Sequence, residues 1–203
     1  MLRNLLLIFL IGFCIDLFAQ DKENEQLRAS QQTRVKNRID MKINIPAGFK
    51  EVKNPEIPND ASAVDYAFVN KDSTIFITIG LQPRDSLIYE RSKKSFKMFM
   101  PQFPNYEPDD QWKLNFKGRV DSSDFKPQMF AASRLRAFNA DAGAEYKIKY
   151  ISELYMNRYV PERVISLNKK FKGIAEIYFF KARGTKSDIN RQLKKAYRMI
   201  KYN

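Results

Sequence analysis

Apolar and polar residues alternate along several short stretches of the chain, and this period of two predicts β-strands. Residues 41–45 read Met-Lys-Ile-Asn-Ile and run into a predicted turn at 46–49. Residues 64–69 and 74–80 form a second and third strand, and the polar connection at 70–73 predicts a hairpin between them. In the third strand Ile75, Ile77 and Ile79 share one face, which we expect to be core.

The second half of the chain continues this pattern. Strands are predicted at 112–120, 132–139, 145–155, 163–167 and 174–180, with a turn at 171–173 between the last two. Residues 54–62 contain two prolines and residues 101–111 contain three, so both are predicted loops.

Two segments have a helical pattern instead. Asp85 or Ser86 can cap a helix that runs to about Met100, with Leu87, Phe96, Phe99 and Met100 as candidates for its buried side. A C-terminal amphipathic helix is predicted from Ser187 to Met199, because Ile189, Leu193, Ala196 and Ile200 recur at near-helical spacing. The order of strands, helix, strands and helix predicts an α+β fold: a central, mostly antiparallel sheet with flanking helices, in an α/β/α sandwich.

The first residues have the pattern of a targeting segment. Arg3 is followed by an apolar run from Leu5 to Ile15, which is eleven residues long and ends before Asp16. A membrane-spanning helix needs about twenty apolar residues. We therefore expect residues 1–19 to be a cleavable signal peptide, cut between Ala19 and Gln20. An uncleaved anchor and a buried N-terminal helix are the alternatives.

If the chain is exported, its sequence also predicts how the processed product is organised. Phe13 precedes Cys14, where a lipoprotein signal needs a small residue, so the product is expected to carry no lipid anchor and no transmembrane segment. Residues 20–38 are highly polar and predict a flexible or loosely helical tether. Residues 39–203 then form a single α+β domain, which we expect to be periplasmic or secreted.

The amino-acid composition limits which catalytic and metal-binding mechanisms the mature chain could use. The chain has no histidine, and Cys14, its one cysteine, lies in the signal peptide. Mechanisms that depend on a histidine base, a thiol nucleophile or cysteine and histidine metal ligands are thereby excluded from the mature chain. We expect no metal, no cofactor and no enzymatic activity.

Two groups of residues could still support catalysis. The Ser-x-x-Lys spacing of Ser123 with Lys126, and of Ser166 with Lys169, suits a serine nucleophile with a lysine base. A chain this rich in lysine produces such spacings by chance, and the accompanying motifs are missing. The acids Asp109, Asp110, Asp121 and Asp124 could form a carboxylate pair for glycosidic hydrolysis, or be ordinary solvated loop residues.

Two further groups could bind a ligand. Phe103, Tyr106, Trp112 and Phe116 could form a stacking platform for sugar or peptide, or belong to the core. The net charge is +13, and basic residues concentrate at Lys169, Lys170 and Lys172 and at Lys194, Lys195 and Arg198. Such a basic patch suits anionic lipid, polysaccharide or an acidic protein, or simply a solvated face. Nucleic acid is not expected, because no nucleic-acid motif is present and the chain is predicted to be exported.

The layout resembles the PsbP-like α/β/α sandwich family over roughly residues 39–203. The features that carry the resemblance are the opening strand into Pro46-Ala47-Gly48-Phe49, the hairpin ending at 74–79 and the final strand and helix at 174–200. The resemblance implies helices on the faces of a central antiparallel sheet and a role in binding or assembly. It assigns no functional residue, because no site motif accompanies it.

The sequence therefore favours an exported, non-catalytic binding or accessory domain that engages a protein partner in the cell envelope. One alternative is electrostatic binding of anionic lipid or polysaccharide. The other is a hydrolase that uses carboxylates alone.

Overall fold

The computed structural model describes residues 26, 29–30, 32–33, 35–53, 64–101, 105, 107–108, 127–147, 158–185, 189–196 and 198–203. The chain divides into two units, Met1–Arg34 and Val35–Asn203. The described residues of the first unit are helical, and Thr33 Oγ1 donates a hydrogen bond to the Ala29 carbonyl at 2.9 Å, one helical turn back. The second unit contains the sheet.

The described elements of the second unit follow helical residues 35–39. The strands are β1 (Met41–Ile43), β2 (Phe49–Glu51), β3 (Tyr66–Asn70), β4 (Ile75–Pro83), β5 (Gln128–Met129), β6 (Ala142–Lys147), β7 (Tyr159–Lys169), β8 (Gly173–Ala182) and β9 (Ile200–Tyr202). The helices are α1 (Ser86–Phe99), α2 (Ala132–Phe138) and α3 (Ile189–Ala196).

Seven of these strands form one antiparallel sheet in the order β2-β3-β4-β8-β7-β6-β5. β1 and β9 pair separately as an antiparallel ribbon. The predicted α+β fold with a mostly antiparallel sheet is confirmed, as is the hairpin of β3 and β4.

The sheet is apolar on both faces, because alternate residues of its central strands are buried on opposite sides. Ile75, Ile77 and Ile79 of β4 are fully buried in the larger core cluster, as predicted. Phe76, between them, belongs to a second cluster with Phe180 of β8. Residues buried on both faces explain why β4 and β8 read as nearly continuous apolar runs.

The larger cluster also contains the elements that position the candidate site. Phe138 of α2, Ile189 of α3 and the ribbon residues Met41, Ile200 and Tyr202 are buried in it. Tyr202 Oη lies 3.0 Å from the Gly173 carbonyl and 3.3 Å from the Leu167 carbonyl, so the end of the chain is fastened to the β7–β8 hairpin.

The segment 132–139, predicted as a strand, is helix α2, so that prediction is wrong. Ala132, Leu135 and Arg136 are strong helix formers, and Leu135 and Phe138 lie three apart, on the side that packs on the core. Asn139 ends the helix in the left-handed conformation at φ 51°, and its backbone N–H bonds back to the last turn.

The C-terminal helix ends earlier than predicted, because residues 198–199 form a turn. It is described over Ile189–Ala196, and Ile200 lies in strand β9, paired with Ile43 of β1. The Ile-Lys-Tyr alternation buries Ile200 and Tyr202 and exposes Lys201. Strand β2, at the end of the predicted turn at 46–49, is a second short strand that the sequence did not predict.

Helix α1 begins as predicted, because the Asp85 carboxylate accepts the Ile88 N–H at 2.9 Å as an N-cap. Its buried side differs from the prediction. Leu87, Phe99 and Met100 are exposed, and Tyr89 is the buried residue. Tyr89 packs edge-on against the Phe171 ring and donates a 2.6 Å hydrogen bond to Glu107, so these tertiary contacts determine which side faces inward.

Several other predicted elements fall wholly or partly outside the described residues. They are the signal peptide at 1–19, much of the tether at 20–38, the loop at 54–62, most of the loop at 101–111, the strand at 112–120, the portion of the 145–155 strand beyond residue 147 and the start of the C-terminal helix at 187–188.

Candidate functional site

A cleft lies between the segment that follows β1 and the segment that joins α3 to β9. The Asn44 N–H donates to the Met199 carbonyl at 2.7 Å and holds the two segments together. The cleft has a volume of about 460 Å³. Its lining residues are Asn44, Ile45, Pro46, Ala47, Lys194, Lys195, Arg198 and Met199. We refer to it as the basic cleft.

Three cations line one side of the basic cleft. Lys194 and Lys195 come from the last turn of α3, and Arg198 follows the helix. Lys195 Nζ lies 3.4 Å from the Ala47 carbonyl on the opposite side. Cations in a last helical turn also stabilise the helix by about 0.3–1 kcal/mol through its free carbonyl groups. Arg198 lies beyond the helix, so this effect does not account for it.

The cations of the basic cleft differ from other basic groups in their pairing. Within the part of the chain that the structure describes, no carboxylate forms an ion pair with Lys194, Lys195 or Arg198. Elsewhere many cations are paired with acids, as in Arg38–Asp85, Lys93–Glu107, Arg134–Glu145, Arg163–Glu145, Lys169–Asp141 and Lys172–Asp40. Among the described residues, no acid therefore neutralises the positive charge of the basic cleft.

The other side of the basic cleft is apolar. Ile45 is 53% exposed, although it is a large aliphatic residue, and Pro46 and Ala47 follow it around the turn. A ligand in this cleft would meet aliphatic surface and positive charge together.

A second cleft, of about 500 Å³, adjoins the first and shares Lys195 with it. Its other lining residues are Gly48, Phe49, Asn70, Lys71 and Asp72, which come from β2 and the β3–β4 turn. We refer to it as the mixed cleft, because it carries a carboxylate as well as two lysines.

The predicted basic patch separates into two parts in the structure. Lys169 Nζ lies 3.1 Å from Asp141 Oδ1, and the Lys172 ammonium bonds to Asp40. Lys170 Nζ lies 5.2 Å from the centre of the Phe171 ring. These three lysines hold the β7–β8 turn to its neighbours, whereas Lys194, Lys195 and Arg198 line the basic cleft.

The pairing of Lys172 perturbs its partner. Hydrogen bonds from Lys172 and then Asn203 hold the pKa of Asp40 below its ordinary value. Asp40 directly follows the helical residues 35–39, and Asn203 is the last residue of the chain, so this contact joins three distant segments.

The predicted nucleophile and base of the second Ser-x-x-Lys match are not brought together. Ser166 is fully buried in β7, and the Lys169 ammonium bonds to Asn139 and Asp141. Residues three apart in a strand point to opposite faces, so this spacing cannot form a hydrogen-bonded pair within β7.

The remaining predicted site residues lie outside the described residues. They are the cleavage position at Ala19 and Gln20, the aromatic group Phe103, Tyr106, Trp112 and Phe116, the acids Asp109, Asp110, Asp121 and Asp124, and the pair Ser123 and Lys126.

Within the described ranges, no three acidic, histidine or cysteine side chains are grouped closely enough to hold a metal ion. None of the helices in those ranges has both the length and the apolar character required to cross a membrane. No protein-family model matches the chain, and no curated protein is significantly similar to it.

The sequence predicted the cations of the basic cleft but missed its other side. The pattern places Ile45 and Ala47 at a strand end and a turn. The β1–β9 pairing, which joins residues about 160 positions apart in the chain, brings this segment close to the end of α3.

Proposed function

We propose that the chain is an exported, non-catalytic binding domain that holds an acidic segment of a protein partner in the basic cleft. The observation that carries this proposal is the group of three cations, Lys194, Lys195 and Arg198, without an ion pair among the described residues. Electrostatic complementarity of this kind sets the specificity and the rate of association.

The form of the cleft supports a polypeptide segment as the ligand. A flat bilayer touches protruding groups, whereas a concave site is filled by a chain that enters it. Ile45 and Ala47 would contact aliphatic side chains of such a segment, and a polysaccharide has none. An acidic peptide with interspersed aliphatic residues matches both sides of the basic cleft.

A non-catalytic role is supported because the residues that catalysis would need are either missing from the sequence or not brought together. The chain has no histidine, and its cysteine lies in the predicted signal peptide. Ser166 and Lys169, the fully described Ser-x-x-Lys match, are directed to different faces of the sheet.

The proposal can be tested by fluorescence anisotropy on the residue 20–203 chain, with a labelled peptide that alternates glutamate and leucine as the probe. The triple variant Lys194→Glu, Lys195→Glu, Arg198→Glu should bind it at least about tenfold more weakly, since each reversal replaces attraction by repulsion. Wild-type affinity should also fall as salt is raised from about 0.05 to 0.5 M.

The matched control is the triple variant Arg91→Glu, Lys94→Glu, Lys97→Glu. It makes the same change in net charge on exposed positions of α1, which line neither cleft. Its affinity should stay within about threefold of wild type, because only long-range, screened charge is altered. Equal losses in the two variants would show that net charge alone attracts the peptide, and the proposed site would then be wrong.

Anionic lipid is a second candidate ligand, which one observation favours. Lys42 and Lys201 are exposed and directly opposite each other in the β1–β9 ribbon. Like charges at such a position are unfavourable without a counterion. If lipid is the ligand, vesicles with about 30% anionic lipid should sediment the protein. Lys42→Glu with Lys201→Glu should then abolish sedimentation and leave peptide binding intact.

A further inference from the structure

The mixed cleft differs from the basic cleft in charge. Among their lining residues, the basic cleft has three cations and no acid, and the mixed cleft has Lys71, Asp72 and the shared Lys195. A peptide segment that lies across both clefts would therefore contact only cationic side chains in the basic cleft. In the mixed cleft it would contact both lysines and a carboxylate.

The carboxylate of the mixed cleft is held in place. Asp72 Oδ1 accepts hydrogen bonds from Thr74 Oγ1 at 2.8 Å and from the Thr74 N–H at 3.3 Å. These bonds lower the pKa of Asp72, the side-chain bond more than the backbone one, so the group is charged at neutral pH. Asn70 in turn bonds to Thr74 Oγ1 and to the Ile75 N–H, which fixes the turn that carries Lys71 and Asp72.

We propose that the mixed cleft selects a side-chain amide, Asn or Gln, next to the acidic residues that the basic cleft holds. A side-chain amide offers an acceptor oxygen and an NH₂ donor on two separate atoms, whereas a hydroxyl group has to use one oxygen for both. Its oxygen can accept from the Lys71 or Lys195 ammonium, and its NH₂ group can donate to the Asp72 carboxylate. A carboxylate at the same position would be repelled by Asp72, and an aliphatic side chain would form no hydrogen bond with either charged group.

This inference rests on the proposed function, since it deepens the description of the same ligand. It also makes the binding directional, because the two clefts share Lys195 and differ in all their other lining residues. An amide at one end of the acidic segment reaches the mixed cleft, and an amide at the other end does not.

Four labelled peptides test the inference with the residue 20–203 chain. Each has the core Glu-Leu-Glu, extended by Gln or Glu either before or after the core. The wild-type protein should bind one Gln peptide about fivefold more tightly than the Glu peptide extended at the same end, and should show no such difference at the other end.

The variant Asp72→Asn should reduce this preference to about one, because it removes the negative charge and keeps an acceptor for Thr74. The control Glu90→Gln changes charge equally on α1 and should leave the preference at its wild-type value. Binding of all four peptides within about twofold of one another would overturn the inference while the proposed function stands. Failure of every peptide to bind would overturn both.

Discussion

Gly173 is a position at which one added methyl group is expected to clash with the protein backbone. It begins β8 at φ +134°, opposite Pro83 of β4. A Cβ at this residue would lie 2.2 Å from the Gln82 carbonyl oxygen and 2.9 Å from the Arg84 nitrogen. Both contacts are with backbone, so no side-chain rotation can relieve them.

Two costs add in the variant Gly173→Ala. A left-handed conformation costs a non-glycine residue about 1–2 kcal/mol. Overpacking against fixed atoms costs a further ~1–3 kcal/mol. The expected destabilisation is therefore about 2–5 kcal/mol, measured as the midpoint shift of urea unfolding followed by circular dichroism.

Gly184→Ala is the matched control. Gly184 also has a positive φ, +76°, but a Cβ added to it would have no heavy atom within 4 Å and would meet open space. This variant should show the backbone cost alone, about 1–2 kcal/mol. Equal destabilisation of the two variants would refute the steric argument and with it the close β4–β8 approach.

Three further variants probe the contacts that hold the domain together. Asp40→Asn should destabilise most above about pH 5 and progressively less as pH falls below about 4, because the lowered pKa of Asp40 gives stability that is lost as pH falls through that pKa; unfolding midpoints measured at several pH values check this prediction, and a deficit that grows as pH falls would contradict it. Phe138→Ala should cost about 3–5 kcal/mol in thermal unfolding, against under ~0.5 kcal/mol for the exposed Leu87→Ala, and similar losses would show that α2 is not packed as described. Glu145→Gln should cost about 1–3 kcal/mol, since it removes the buried negative charge that pairs with Arg134 and Arg163, and an unchanged urea midpoint would count against these two ion pairs.

The central strands could be predicted from sequence because their pattern is local. Ile75, Ile77 and Ile79 alternate with residues of the other face, and a turn sequence separates β3 from β4. The segment 132–139 could not be assigned in this way, because its seven helical residues include only two that pack on the core. The local indications of a helix were the helix-forming residues Ala132, Leu135 and Arg136 and the C-cap Asn139. Propensity alone is a weak signal over seven residues, and Asn is also common in turns.

The short strands and the site depend on distant partners. β9 has three residues and acquires its conformation from β1, and β2 acquires its conformation from β3. Which lysines are neutralised by acids also depends on residues that are distant in the sequence. Lys169 and Lys172 look like Lys194 and Lys195 in the sequence, and only the folded chain shows that Asp141 and Asp40 neutralise the first two.

Binding of an acidic protein segment in the basic cleft can be tested in living cells. The most direct measurement places a photo-crosslinking amino acid at Ile45 in the native host and identifies the attached peptide by mass spectrometry. Met129, also exposed but at the far edge of the sheet in β5, is the control position. We expect position 45 to attach to one protein through an acidic peptide and position 129 not to attach to it. The triple reversal of Lys194, Lys195 and Arg198 should abolish the product. Attachment of lipid, of neutral or basic peptides, or of the same proteins from both positions would contradict this expectation.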